Sequence, residues 1–214
     1  MVFDFKKQLK KYYMPKDKLS IIEVEKMNFI AIKGSGDPNE ENGDYQKAIG
    51  LLYNVAYTLK MSYKTTYQIE GFYEYVVPPL EGFWWQEGIC GVDYAHKENF
   101  CFIALIRLPD FIKKVDFDWA IKEATRKKKQ DYSRVMFYTY DEGLCVQCMH
   151  IGSYDDEVES VSKMHQYIEE LGYEVDINDQ RYHHEIYLSD PRKCDVSKLK
   201  TIIRHPIKKK VRKE

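Results

Sequence analysis

Apolar positions recur at helical spacing in some stretches of the chain and alternate with polar ones in others. Over Asp44–Lys60, residues Tyr45, Ala48, Ile49, Leu52, Val55, Ala56 and Leu59 share one helical face. Over Asp155–Gly172 the matching set is Val158, Val161, Met164, Ile168 and Leu171. A further helix is predicted near Asp116–Lys128. Strand-like patterning marks Phe29–Lys33, Phe72–Val77, Phe100–Arg107, Val135–Tyr140, Cys145–Ile151, Tyr182–Leu188 and Thr201–Arg204. One residue breaks its pattern. Glu157 projects into the middle of the second apolar stripe, one turn before Val161. An unpaired buried charge costs several kcal/mol. Glu157 is therefore expected either in a half-exposed first turn, favoured there by the helix dipole, or lining an internal cavity.

The order strand–helix–strand–strand occurs twice, over about 20–110 and about 132–210, joined by a linker helix at about 111–131. Gly34-Ser35 echoes Gly152-Ser153 just before each helix, and Tyr75-x-x-x-Pro79 echoes Tyr187-x-x-x-Pro191. Ile106-Arg107-x-Pro109 likewise echoes Ile203-Arg204-x-Pro206. Echoes in the same order point to an internal duplication. The expectation is a single α+β domain over 1–214, with an antiparallel sheet and its helices on one face. The other face is left for a ligand or partner. Along Tyr182–Leu188, Ile186 and Leu188 are assigned to the helices, so His183, Glu185 and Tyr187 face away. The proline echo puts Tyr73 and Tyr75 on the matching face. Rings interleaved with one carboxylate suit a flat, partly cationic or polar organic molecule.

Composition narrows the class. The 214 residues are 44% hydrophobic and 31% charged, which predicts a soluble globular protein. Lys plus Arg (33) and Asp plus Glu (34) nearly cancel, which argues against a nucleic-acid binder. The basic runs Lys6–Lys11, Arg126–Lys129 and Lys208–Lys213 read as solvated helix ends and a tail. No apolar stretch approaches the ~20 residues of a membrane span, and no signal-peptide core is present. Cys90, Cys101, Cys145 and Cys148 sit in or beside strand-like runs, as core thiols of a cytoplasmic protein would. Cys145 and Cys148 fall on opposite strand faces and lack a second ligand pair, so no zinc knuckle is expected. His183 and His184 also point to opposite faces and cannot share an ion. Neither metal nor cofactor is expected.

Five segments carry a family resemblance: Asp4-Phe-Lys-Lys-Gln-Leu-Lys-Lys-Tyr-Tyr13, Phe29-Ile-Ala-Ile-Lys-Gly-Ser-Gly-Asp-Pro-Asn39, Leu80-Glu-Gly-Phe-Trp-Trp85, Gly152-Ser-Tyr-Asp-Asp-Glu157 and His183-His-Glu-Ile-Tyr-Leu-Ser-Asp-Pro191. In these the sequence resembles the GyrI-like small-molecule-binding family, found in the gyrase inhibitory protein and in multidrug-sensing regulators. The resemblance implies duplicated α+β modules with a ligand cleft between the halves, floored by aromatics and holding a buried acid. It puts Glu185 at the ligand-facing glutamate position. Trp84 and Trp85 look like the pair of a stand-alone subfamily, some members of which are similar to cyclopropanoid cyclohydrolases. These open the spirocyclopropane of DNA-alkylating natural products with water, and the resemblance makes Glu157 and Glu185 the reacting carboxylates. The sequence shows no helix-turn-helix segment, so no direct contact with DNA is expected.

On this reading Trp84, Trp85 and Tyr187 stack on the planar substrate, with Tyr73, Tyr75 and His183 beside it. One glutamate deprotonates water and the other, or a Tyr hydroxyl, assists at the dienone oxygen. Plainer readings stand beside these roles: core capping by the tryptophans, a solvated Glu185 paired with Arg181 or a lysine, and cross-strand packing of Tyr187. Arg107 and Arg204 read as structural ion-pair partners. The alternatives to an enzyme are a module that sequesters flat cationic drugs and a gyrase-binding protein. The latter would need an acidic patch, for which Asp37, Glu40, Glu41 and Asp44 are the candidates. That run reads more simply as a solvated loop.

Overall fold

The computed structural model describes residues 2–15, 19–89, 93 and 95–211. Two short helices, α1 (Phe5–Gln8) and α2 (Lys10–Tyr13), lead into β1 (Ser20–Val24) and β2 (Met27–Ser35). There follow α3 (Asp44–Lys60), β3 (Leu80–Gln86), β4 (Phe100–Arg107), α4 (Lys114–Lys128), β5 (Met136–Tyr140) and β6 (Gly143–Ile151). Next come α5 (Glu157–Glu170), β7 (Tyr173–Val175), β8 (His183–Tyr187) and β9 (Lys200–Lys209). The strands form one nine-stranded sheet in the order β1-β6-β9-β8-β3-β4-β2-β5, with β7 beside β9. All pairings between these strands are antiparallel. Strands β3 and β8 are the seam between the halves, with Gly82 opposite Glu185 and Trp84 opposite His183. Each half takes its edge strand from the other, since β1 pairs with β6 and β5 with β2.

The expected strand at Phe72–Val77 does not form. That segment makes one isolated bridge, Tyr75 to Phe3, and the strand lies instead at Leu80–Gln86, inside the stretch expected to be a connection. Pro78 and Pro79 explain the shift: neither has an N–H for a ladder, so pairing begins just after them. The register also corrects the proline echo. Leu80 pairs with Ile106, and Glu185 pairs with Ile203, the echo of Ile106. Glu185 is thus the counterpart of Leu80 and Tyr187 of Gly82, so Tyr187 does not correspond to Tyr75.

Helices α3, α4 and α5 cover one face of the sheet. Helix α3 buries Ala48, Leu52, Val55 and Leu59 against Ile30, Ile32, Phe102 and Ala104, with Ala120 and Ala124 of α4 in the same cluster. Each large apolar side chain so buried stabilises the fold by ~1.5–3 kcal/mol. Helix α5 buries Met164 and Ile168 against Val146, Cys148, Ile203 and Ile207. Its inward stripe is Glu157, Val161, Met164 and Ile168, while Val158 and Leu171, expected on that stripe, are exposed.

The opposite face is covered as well. Phe5, Tyr12 and Tyr13 of α1 and α2 pack with Tyr75 over Ile186 and Ile202. Ile186 therefore faces these N-terminal helices, and His183, Glu185 and Tyr187 point toward the three long helices, the reverse of the sequence expectation. Strand β8 is buried on both faces, so alternation separates its residues into two sets without saying which set meets the long helices. Beneath the N-terminal helices, His184 bridges Glu142 (2.8 Å) and Glu81 (3.0 Å), and Arg204 pairs with Glu142 (2.8 Å). Cys145 and Cys148 are buried; Cys90 and the tail residues Arg212 and Lys213 lie outside the described residues. Among the described residues no helix is long and apolar enough to cross a membrane.

Candidate active site

The site is built where the two halves meet, on the helix side of β3 and β8. Glu185 and His183 are two residues apart on β8 and so share a face. His183 Nε2 lies 2.9 Å from Glu185 Oε1. Glu157 is brought in by a local device. Strand β6 ends at Ile151; the next residue, Gly152, has a φ of 138° that favours glycine, and Ser153 caps a short 3-10 turn over Tyr154–Asp156. Helix α5 then starts with Glu157 aimed inward. Its carboxylate is fully buried, lies 3.9 Å from His183 Nε2 and sits at the positive end of the helix dipole. The half-exposed alternative is therefore excluded. Glu185 is 8% exposed, which makes it the carboxylate nearer to an entering ligand.

Aromatic rings complete the cluster. Trp84 Nε1 donates to the Tyr187 hydroxyl at 2.8 Å. Gly82 makes this contact possible: a Cβ there would lie 2.6 Å from Trp84 Nε1 and 3.0 Å from Tyr187 Oη. Tyr45, in the first turn of α3, packs its ring 4.9 Å from that of Trp84, and Tyr154 meets Tyr187 edge-on at 5.7 Å. Burial, then the Glu185 charge, holds the Tyr187 hydroxyl well above the usual tyrosine range. Burial with the charges of Glu185 and Glu157 pushes Tyr154 up to about 12. These phenols are proton donors at neutral pH, suited to an oxygen that is gaining negative charge.

The structure thus brings Glu157, Glu185, His183, Trp84 and Tyr187 together. It does not bring Trp85, Tyr75 or Tyr73 to them. Trp85 follows Trp84 on the same strand and points to the opposite face, where it packs against Tyr182 at 5.0 Å under Lys33. Tyr75 is buried beneath the N-terminal helices, and Tyr73 is 41% exposed beside Phe111. Sequence reasoning missed Tyr45, Tyr154, His205 and His165. A signal existed for His165, which continues the Glu157–Val161 spacing by one more turn. His205 becomes legible only with the strand register, which sets it opposite His183.

The plainer pairings are also resolved. Arg181 binds Asp176 (2.7 Å) and not Glu185. Arg204 is held by Glu142, and Arg107 lies 3.6 Å from Asp110. Of the acidic run, Asp44 opens α3 and is engaged by Arg134. Glu157, His183 and Glu185 each offer one ligand atom, all within 4.8 Å of one another, which is close enough for a divalent ion. Two of those atoms are already joined by the His183–Glu185 hydrogen bond, and we read the group as an acid–base cluster. Two carboxylates, an imidazole and phenolic donors around one buried point can activate water and protonate an oxygen that gains negative charge.

The chain is similar to known proteins over most of its length. The model of the GyrI-like small molecule binding domain matches residues 17–208. A crystal structure described as a hydrolase from Listeria innocua is 43% identical, with a TM-score of 0.87, and the match covers 96% of this chain and 100% of that one. An uncharacterized conserved protein from Listeria innocua is 45% identical, with a TM-score of 0.90 over 96% of this chain and 100% of that one. The C-terminal domain of EcmrR shares the fold at 14% identity and a TM-score of 0.54, over 90% of this chain and 98% of that one. No curated protein matches at a significant level. The chain belongs to the family of the GyrI-like small molecule binding domain.

Proposed function

We propose that the protein is a hydrolase of small planar molecules and that its substrates carry a spirocyclopropane conjugated to a dienone. The observation that carries this reading is the convergence of Glu157, Glu185 and His183 with Trp84 and Tyr187 at one buried point. Glu185, hydrogen-bonded to His183, accepts a proton from water as the water oxygen attacks the cyclopropane carbon. The ring C–C bond breaks, its electrons aromatise the dienone, and the phenolate oxygen so formed takes a proton from a phenol of the site, which Glu185 then restores with the proton it took from water. Tyr187, Tyr154 and Tyr45 are the donors within reach of the cluster. Trp84 and these rings hold the planar body and exclude bulk water, which strengthens the polar contacts. The hydrolase description of the Listeria innocua relative supports the reaction class. The cyclopropane substrate rests on the resemblance and on the convergence of carboxylates and rings at the site.

The test is loss of the dienone absorbance on incubation with purified protein. The proposal expects turnover that a chelator leaves unchanged. The Glu157→Gln, Glu185→Gln double variant should lose about a hundredfold or more of it, the usual contribution of positioned acid–base groups. Unchanged turnover in that variant removes the mechanism. A second reading, a binder of flat cations with Glu185 as counter-charge, is favoured by the family's small-molecule-binding character. It predicts a thermal shift with such cations and no turnover by the wild-type protein.

A further inference from the structure

Tyr45 carries an unpaired donor into the cluster. Its side chain is 8% exposed, and its hydroxyl is buried without a hydrogen bond. A buried hydroxyl left unpaired is costly, and one that persists in a native fold calls for a reason. The ring has no room to swing away. It is wedged between Trp84, at 4.9 Å between ring centres, and Phe102, edge-on at 5.0 Å. Helix α3 is pinned one residue earlier, where Asp44 accepts two hydrogen bonds from Arg134, at 2.6 and 2.8 Å. Gly34 of β2 lets this first turn lie close on the sheet, because a Cβ there would run into the Asp44 carboxylate and the Phe102 ring.

The Tyr45 hydroxyl lies among Tyr187, Glu185 and Tyr154. The other two phenols are differently engaged. Tyr187 Oη accepts from Trp84 Nε1 at 2.8 Å, and its own hydrogen has the Glu185 carboxylate within reach. Tyr154 is only partly buried. Of the three, Tyr45 alone keeps its hydrogen inside the protein without an acceptor. Burial holds this hydroxyl well above the usual tyrosine range, so it stays protonated and donates at neutral pH. We propose that Tyr45 anchors an acceptor oxygen of the ligand, donating to the keto oxygen of a flat enone and then to the phenolate into which hydrolysis turns it. A donor fixed in advance needs no reorganisation as charge gathers on that oxygen. A flat cation that lacks such an oxygen would leave Tyr45 unpaired, so the ligand class is flat ketones. The inference rests on the reading of this cluster as the ligand site, and its part in turnover rests on the hydrolytic reading.

The test compares the full-length wild-type protein with Tyr45→Phe, which removes only the unpaired oxygen and should melt no lower than wild type. The binding probes are fluorenone, a flat ketone, and fluorene, the same rings without the oxygen. Wild type should prefer fluorenone by about tenfold, and Tyr45→Phe should lose that preference while binding fluorene as before. The carbonyl stretch of bound fluorenone should move to lower frequency in wild type and return in the variant. With a spirocyclopropyl dienone, Tyr45→Phe should lose about a hundredfold in kcat. An unshifted carbonyl stretch or no ketone preference in wild type, or the same preference in Tyr45→Phe, overturns the anchor and leaves the hydrolase reading on its glutamates. A ketone preference that depends on Tyr45, in a wild-type protein that consumes no dienone, upholds the anchor and removes the hydrolase reading instead.

Discussion

At the scale of single residues, the site depends on groups whose roles are set by what surrounds them. Gly82 has no side chain, and the space it leaves lets Trp84 donate to Tyr187. Gly82→Ala should cost about 1–3 kcal/mol by overpacking and weaken binding of a planar ligand. Chemical denaturation and a fluorescence titration check this, and wild-type values in both would show that the ring pair is not part of the site. His205 illustrates a sign. Its folded-state pKa is depressed, so the unfolded chain binds a proton more readily, and stability falls as pH drops below about 6.5. His205→Gln should shrink that fall in melting temperature, whereas parallel curves for variant and wild type would contradict it. His184 has the opposite sign: its folded pKa is raised, so its contribution is present below about 6.5 and lost as pH rises through the folded value.

At the scale of elements, β8 carries both the chemistry and the support. One face holds His183, Glu185 and Tyr187 under the long helices, and the other holds His184 in an ionic network under α1 and α2. Burial alone would raise the Glu142 carboxyl, but the charges of Arg204 and His184 hold it down to about 2. Its contribution is therefore present above about 4.5 and lost as pH falls toward about 2. Arg204→Met removes one partner and leaves a buried carboxylate, which should cost about 3–5 kcal/mol at neutral pH. A loss near zero by urea denaturation would mean that the network is dispensable to the fold. The same two-sided burial explains why the sequence misleads at β8. Alternation divides the strand correctly into His183, Glu185, Tyr187 and His184, Ile186. Nothing local says that the second set lies under α1 and α2.

At the scale of the whole molecule, the duplication places the site. The seam strands β3 and β8 meet in the middle of the sheet, and α5 begins above them while α3 supplies Tyr45 from its first turn. Helix Asp44–Lys60 and strand Phe100–Arg107 were legible in full, because their periodicity matches a single buried stripe or a buried run. The partnership of Glu157 with Glu185 came from family resemblance; periodicity marked only that Glu157 was out of place. The cross-strand relations His183–His205 and Glu185–Gly82 depend on register, which no local pattern encodes. Trp84 and Trp85 could have been separated by the same alternation that separated the two histidines. The most direct measurement is a crystal structure of the Glu157→Gln, Glu185→Gln variant with a spirocyclopropyl dienone. The account predicts the planar ligand against Trp84 and Tyr187, with its cyclopropane carbon beside residue 185 and His183. A ligand seated on the opposite face at Trp85, with the space around position 185 unchanged, would contradict it.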